Sequence, residues 1–349
     1  MLSRVKNCAD TRCLLEGYGM WKYVLKRLVM MIPVLLGVLL LVFALNELSP
    51  GDPATQLVGE NASTEAIEAM REQLGLNKPV IERFFDYIYG IVTRLDLGTS
   101  YQSRCSVTDE ILERFPTTAL LAGLSMLLAI AIGLPAGIIS ATKQYSWFDR
   151  LGTVVSMIGV SMPNFWQGLM NILIFSIALG WLPASGFYGP EYWIMPVLTI
   201  GTSSAATICR MTRSSMLEVV RQDYIRTARA KGQTESKIIL KHTLKNALIP
   251  IITVIGMQLG YLLCGATLTE SIFAISGLGR YMLDAIKARN FPAVQGSVLF
   301  LAVVFTLCNL LVDVIYAYVD PRIRSMYSKK SKKETVPVAE TAPAGGQKR

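Results

Sequence analysis

The chain has 349 residues, 52% of them hydrophobic and 17% charged, against about 25% charged in soluble domains. That balance points to a membrane protein. The formal net charge of +9 fits either a nucleic-acid surface or basic cytoplasmic loops, so its placement must decide.

Residues 1–21 are expected to form a disordered N-terminal extension. A helix needs about 20 mostly apolar residues to cross a hydrocarbon core of about 30 Å. Leu28 to Leu45 is uncharged and is followed by Glu47, which predicts a first transmembrane helix over 22–46. Its apolar core exceeds the roughly 7–15 residues of a secretory signal, and no A-x-A site follows, so it reads as a retained span.

Residues 47–115 are predicted to be an extracytoplasmic helical loop. "ASTEAIEAMREQLGL" offers Ser63 as N-cap, Glu65 in the first turn and Gly75 as terminator. After Pro79, Ile81, Phe84, Phe85 and Ile88 recur at helical spacing. "SVTDEILERF" has the pattern of a capping box, Ser106 to Asp109, with Val107, Ile111, Leu112 and Phe115 on one face. Such helices lie on the membrane or pack over the spans, either as a lid or as a dock for an outer partner.

A five-helix core is predicted over 116–324. Its spans run from Phe115 to Thr142, Leu151 to Leu179, Tyr192 to Cys209, Ala247 to Thr269, and Ala293 to Val312 with an apolar continuation to Val319. The Gly and Pro of "GWLPASGFYGP" suit a turn between the third and fourth. With a cytoplasmic N-terminus, 25 of the 34 lysines and arginines fall on the cytoplasmic side and 9 outside. This bias places both termini in the cytoplasm and makes the basic charge a matter of topology rather than nucleic-acid binding. Residues 325–349, basic and then rich in Ala, Pro and Gly, are expected to be disordered, with lysines near anionic lipid. The predicted fold class is an all-α integral membrane protein with six transmembrane helices.

Little catalytic chemistry is available. The phosphate-binding pattern G-x-x-x-x-G-K-[ST] is absent, as is the dipeptide Gly-Lys itself. The single histidine, His242, sits among Lys237, Lys241 and Lys245 in a loop, a poor place for a nucleophile system. None of the six cysteines has the two-residue spacing of a zinc or redox pair, so neither metal nor cofactor is expected. Asp313 is the one carboxylate within a predicted span, and Arg210 and Arg213 are expected at the same membrane level. A structural ion pair is the preferred reading over a substrate contact. Neutral polar residues inside spans, Gln167, Asn171, Gln258 and Asn309, are candidates to line a path.

One stretch stands out: "DYIRTARAKGQTESKIILKHTLKNALIP", Asp223 to Pro250, polar and basic between two spans. Asp223 to Lys231 should be helical, and Gly232 can adopt the left-handed conformation that ends a helix. Glu235 then starts a second helix, with Ile238, Ile239 and Leu244 facing inward and Pro250 just inside the next span. Physics alone leaves two readings open, a rigid element that another protein can grip and an ordinary basic loop.

At this point the sequence resembles the membrane permeases of ATP-binding-cassette importers, and within them the dipeptide, oligopeptide and nickel branch. Those permeases carry a cytoplasmic loop, broadly E-A-A, then Gly, then I-x-L-P, whose helix fits a groove on the ATPase. Aligned on Gly232, only Ala228, Gly232 and Leu244 fit that broad pattern. "DYIRTARAKG" and "NALIP" are similar to the branch itself. So are "SPGDPA" at 49–54, "LGL" at 74–76, "LGTS" at 97–100, "GVSMPNFWQGL" at 159–169, "TRSSMLEV" at 212–219 and "VDVIYAYVDPRIR" at 312–324. Ser276 and Asn290 depart from the usual Pro and Asp of the branch.

The resemblance implies a coupling loop at 214–247. Asp223, Tyr224, Arg226, Thr227, Ala228, Arg229, Ala230, Lys231 and Gly232 would meet an ATPase there. It further implies a second permease subunit, two ATPase subunits, an extracytoplasmic substrate-binding protein, and alternating access for peptides across a bacterial cytoplasmic membrane. A nickel or small-solute importer of the same architecture is the alternative, and an ion-coupled carrier a distant one. Because such permeases begin near a "KYVLKRL"-like segment, residues 1–19 are expected to be an upstream extension left by a misplaced start codon. A tryptic peptide from residues 7–12 of the native protein would exclude that.

Overall fold

The computed structural model describes residues 2–319 apart from Glu60, with side chains from Val24 to Ile315 except at Glu60 and Gly265. Among the described residues five helices are long and apolar enough to cross a membrane: Val24–Leu48, Val107–Thr142, Glu191–Val220, Glu235–Cys264 and Phe291–Ile315. Among the described residues there is no strand beyond an isolated bridge between Thr99 and Ser106.

Helix α1 (Leu2–Leu48) contains the first span. Residues 2–21, expected to be disordered, instead carry the same helix backwards. The only proline of α1 is Pro33, and residues such as Ala9, Arg12, Leu14 and Glu16 favour helix. The expected tail at 325–349 lies outside the described residues.

Three helices follow α1 before the next span: α2 (Pro53–Val58), α3 (Thr64–Gln73) and α4 (Val80–Arg94). The Ser63 hydroxyl caps α3 by accepting from the Ala66 amide at 3.3 Å, and Gly75, at φ +67°, follows its end as expected. The capping box at Ser106 does not form. The Ser106 side chain makes no cap bond, because its segment is held to Thr99 by the bridge instead. Of the residues expected on one face there, Val107 and Ile111 are fully buried while Leu112 is exposed.

The core is a pair of long helices, α5 (Val107–Thr142) and α8 (Glu191–Val220). They approach to backbone contact. A Cβ on Gly133 would lie 2.5 Å from the Ala205 carbonyl oxygen, and one on Gly137 would lie 2.6 Å from that of Cys209. Lipid tails are as apolar as leucine, so burial alone does not drive such pairing; close packing of small residues does. Leu121, Met126, Ile200 and Ile208 fill the seam between the helices.

The predicted third span is not one helix. It is divided into α6 (Trp147–Ser161), α7 (Asn164–Asn171) and a π-helical continuation, Ile172–Ala178. Pro163 lacks the amide that would continue the ladder, and Met162 before it is extended at ψ 124°, as the residue before a proline prefers. Helix α9 (Asp223–Ala230) follows α8. Next, α10 (Glu235–Lys237), a π-helical stretch at Ile238–Leu244 and α11 (Lys245–Gly265) run on as one rod. Pro250 therefore lies within a helix. Two short helices, α12 (Thr267–Ile272) and α13 (Leu278–Lys287), lead to the last span, α14 (Phe291–Val319), which packs on α11 and α1.

Candidate functional site

The polar hairpin between α8 and α11 is built as a presented surface. Helix α9 buries only Ile225 and Ala228, which pack on Ile238. Asp223, Tyr224, Arg226, Thr227, Arg229, Ala230, Lys231 and Gly232 are all exposed. The helix ends in a Schellman arrangement: the Gly232 amide donates to Arg229 O at 2.9 Å, and the Gln233 amide to Ala228 O at 3.4 Å. Gly232 sits at φ +72° with open space around it, so backbone conformation selects glycine here.

Three contacts tie the two arms together. Arg229 donates to both carboxylate oxygens of Glu235, at 2.9 and 3.4 Å. His242 Nε2 lies 2.8 Å from Gln233 Oε1, a structural role for the single histidine. Asn246 donates to the Tyr224 hydroxyl at 3.1 Å. The outcome is a short, mostly exposed helix whose two buried side chains fix it to the next span. The helix presents an open polar surface.

The expected ion pair is formed differently. Asp313 pairs with Arg27 of α1 at 3.1 Å, not with Arg210 or Arg213, because α14 packs beside α1. Arg213 serves another acid, Asp149, which sequence reasoning passed over. Its Nε and Nη2 donate to the two Asp149 oxygens at 2.6 and 2.9 Å. The same carboxylate accepts the Ser140 hydroxyl at 2.5 Å and the Tyr145 amide at 2.9 Å. Asp149 is buried, and the Arg213 guanidinium holds its carboxyl well below the usual range against the opposing effect of burial. This cluster joins α5, α6 and α8 shortly before the polar hairpin.

A second buried carboxylate, also missed, lies just beyond the C-terminal end of α11. Glu270 is fully buried. It accepts the Thr118 hydroxyl of α5 at 2.6 Å and the Arg280 amide at 2.9 Å, together with the Gly279 amide. Burial pushes its carboxyl up, against the lowering effect of these bonds. A Cβ on Gly277 would lie 2.3 Å from the carboxylate carbon, so the "SGLGR" loop wraps the acid closely.

The candidate path residues do not converge. Gln167 donates to Thr202 at 2.6 Å and Asn171 to Thr199 at 2.9 Å, both tying α7 to α8. Gln258 is partly buried on α11. Asn309 donates to its own helix at Phe305 O and lines a small cleft between α1 and α14 with Arg27 and Asp313.

Comparison with known proteins agrees with this architecture. Residues 133–325 match the family described as binding-protein-dependent transport system inner membrane component, and residues 20–122 match the N-terminal part of such membrane components. The chain is 44% identical over 333 residues to the dipeptide transport system permease protein DppB of Alkalihalophilus pseudofirmus, covering 87% of this chain and 100% of that one. It is 44% identical over 305 residues to the glutathione transport system permease protein GsiC of Escherichia coli, covering 87% and 99%. The fold is shared with the MetNI methionine ABC transporter in its inward-facing form, at TM-score 0.51 and 19% identity, over 60% of this chain and 96% of that one. The chain therefore belongs to the family of binding-protein-dependent transport system inner membrane components, as a multi-pass permease subunit of an ABC importer.

Proposed function

We propose that this permease carries peptides across the cytoplasmic membrane by alternating access, driven through the α9 hairpin by an ATPase bound beneath it. The full-length similarity to a dipeptide and a glutathione permease supports a peptide-sized substrate. The observation that carries the coupling role is the exposed helix Asp223–Ala230, fixed through Ile225 and Ala228 onto Ile238, in a chain with no phosphate-binding loop of its own. The assembly contains a second, homologous permease subunit, two ATPase subunits and an extracytoplasmic binding protein. Both termini lie in the cytoplasm, as the distribution of basic residues supports.

The test uses the reconstituted complex and separates docking from packing. Arg226 is exposed and has only a 3.9 Å contact with Asp223, so Arg226→Glu changes the docking face and leaves the hairpin intact. Ala228→Glu buries a charge against Ile238 and distorts the hairpin itself. Both variants are expected to lose substrate-stimulated ATP hydrolysis while the spans remain folded. Stimulated turnover at the normal rate in both would refute the coupling role.

A further inference from the structure

The helix α4 has three distinct sectors, and one of them has no partner among the described residues. Phe84, Tyr87 and Ile91 turn toward the protein. Glu82 and Asp86 form a polar sector, with Lys78 bridging them at 3.4 and 2.8 Å. Between these sectors runs a stripe of Ile81, Phe85, Tyr89, Val92 and Leu95, all largely exposed, with Ile81 at 72% and Val92 at 74%.

The depth of this stripe is fixed by α1. The Phe84 ring meets the Phe43 ring edge-on, with centroids 5.3 Å apart, and Phe43 belongs to the uncharged run that crosses the bilayer. One turn further out, Arg83 pairs with Glu47 at 2.7 Å, where the span meets the headgroups. Leu36 and Leu40, on the same face of α1 two turns and one turn deeper than Phe43, are exposed. That stretch of the span is uncharged and suited to lipid contact. Through Phe43 and Phe84, α4 is fixed at the end of this exposed apolar surface.

We propose that α4 lies in the headgroup–acyl boundary of the outer leaflet, with Ile81, Phe85, Tyr89, Val92 and Leu95 inserted among the lipids. Its composition suits that place. An interfacial helix buries its apolar face about 5–10 Å into the boundary and keeps its charges in water, and a tyrosine suits a position with one end apolar and the other wet. At about 22 Å long, α4 would brace the outer end of α1 against tilting, with the Glu47–Arg83 pair and the Phe43–Phe84 contact as its two fixings.

The experiment places the photoreactive residue benzoylphenylalanine at Phe85, or separately at Val92, in the assembled transporter in native membranes. Position Leu40 serves as the lipid-facing reference and Asp86 as the water-facing one. Lipid adducts are expected at 85 and 92, as at 40, with none at 86. Crosslinks from 85 and 92 to another polypeptide, whether the second permease or the binding protein, would show the stripe to be a protein interface and overturn the assignment. So would the absence of adducts at both positions while Leu40 yields lipid. Using two positions guards against one substitution disturbing assembly.

Discussion

Among the described residues two carboxylates are buried, near opposite ends of α5, and they are stabilised in different ways. Asp149, at the Ser140 end, has a guanidinium in bidentate contact, supported by a hydroxyl and an amide. Glu270, at the Thr118 end, has a hydroxyl and backbone amides alone. A buried charge with a cation at hand stays ionised across the physiological range. One held by neutral donors alone is shifted upward by burial, against the lowering effect of those bonds. Both carboxylates grip the same helix.

The largest effect should come from removing the cation. Arg213→Ala leaves the Asp149 carboxylate buried and unpaired, at a cost of about 3–5 kcal/mol. It should lower the thermal unfolding midpoint of the detergent-solubilised permease far more than any change around Glu270. Next is Gly277→Ala, where the added methyl meets the enclosed Glu270 carboxylate. Overpacking of this kind costs about 1–3 kcal/mol, and a second-site Glu270→Ala should recover part of the loss. If Glu270→Ala makes the glycine variant worse, the contact is not as described.

Glu270→Gln is smaller, at about 1 kcal/mol, because its donors are neutral and an amide oxygen can accept from one side of the nest. Its value lies in the pH dependence. The folded Glu270 carboxyl is raised above its ordinary value of 4.5, so its stabilising contribution is complete below that value and fades as pH rises through the folded one. Unfolding midpoints measured from pH 4 upward should decline in the wild type and lose that slope in Glu270→Gln. Asp149 is shifted the other way, and its contribution fails only when pH falls through a value below the usual carboxylate range. Asp149→Asn should therefore lower stability without adding a slope above pH 5. The smallest effect is expected for Gly232→Ala, in a region with neither carboxylate. Strain at φ +72° amounts to about 1 kcal/mol, to be read as reduced stimulated ATP hydrolysis with little change in the unfolding midpoint.

Much of this was legible in the sequence because it depends on local signals. Uncharged runs marked the spans, the glycine after α9 marked its end, and Ser63 marked the start of α3. The break at Pro163 lay inside an uncharged run, so hydropathy did not register it, although the proline was in view. What remained hidden depends on which helices become neighbours. Asp313 had arginines from two helices near its membrane level, and only packing decides that α1 rather than α8 lies alongside. Asp149 finds Arg213 across 64 positions of sequence, and no periodicity announces such a meeting. Glu270 is buried because a later loop folds back over it. Periodicity showed that α4 is amphipathic, but a single apolar face was in fact two, one for the protein and one left outward.

The glycines that bring α5 and α8 together also limit how the molecule can move. Two rods joined at backbone distance through Gly133 and Gly137 cannot slide past each other by a helical turn without prising apart main chains. They travel as one plank. That plank carries Thr118 towards the N-terminal end of α5 and Ser140 near its C-terminal end, about 33 Å apart at 1.5 Å per residue. A displacement at the Ser140 end, where α8 leads into the polar hairpin, therefore arrives at the Thr118 end, at the loop over Glu270, in the same stroke. The give that opens and closes a passage must be sought at the looser seams elsewhere in the bundle.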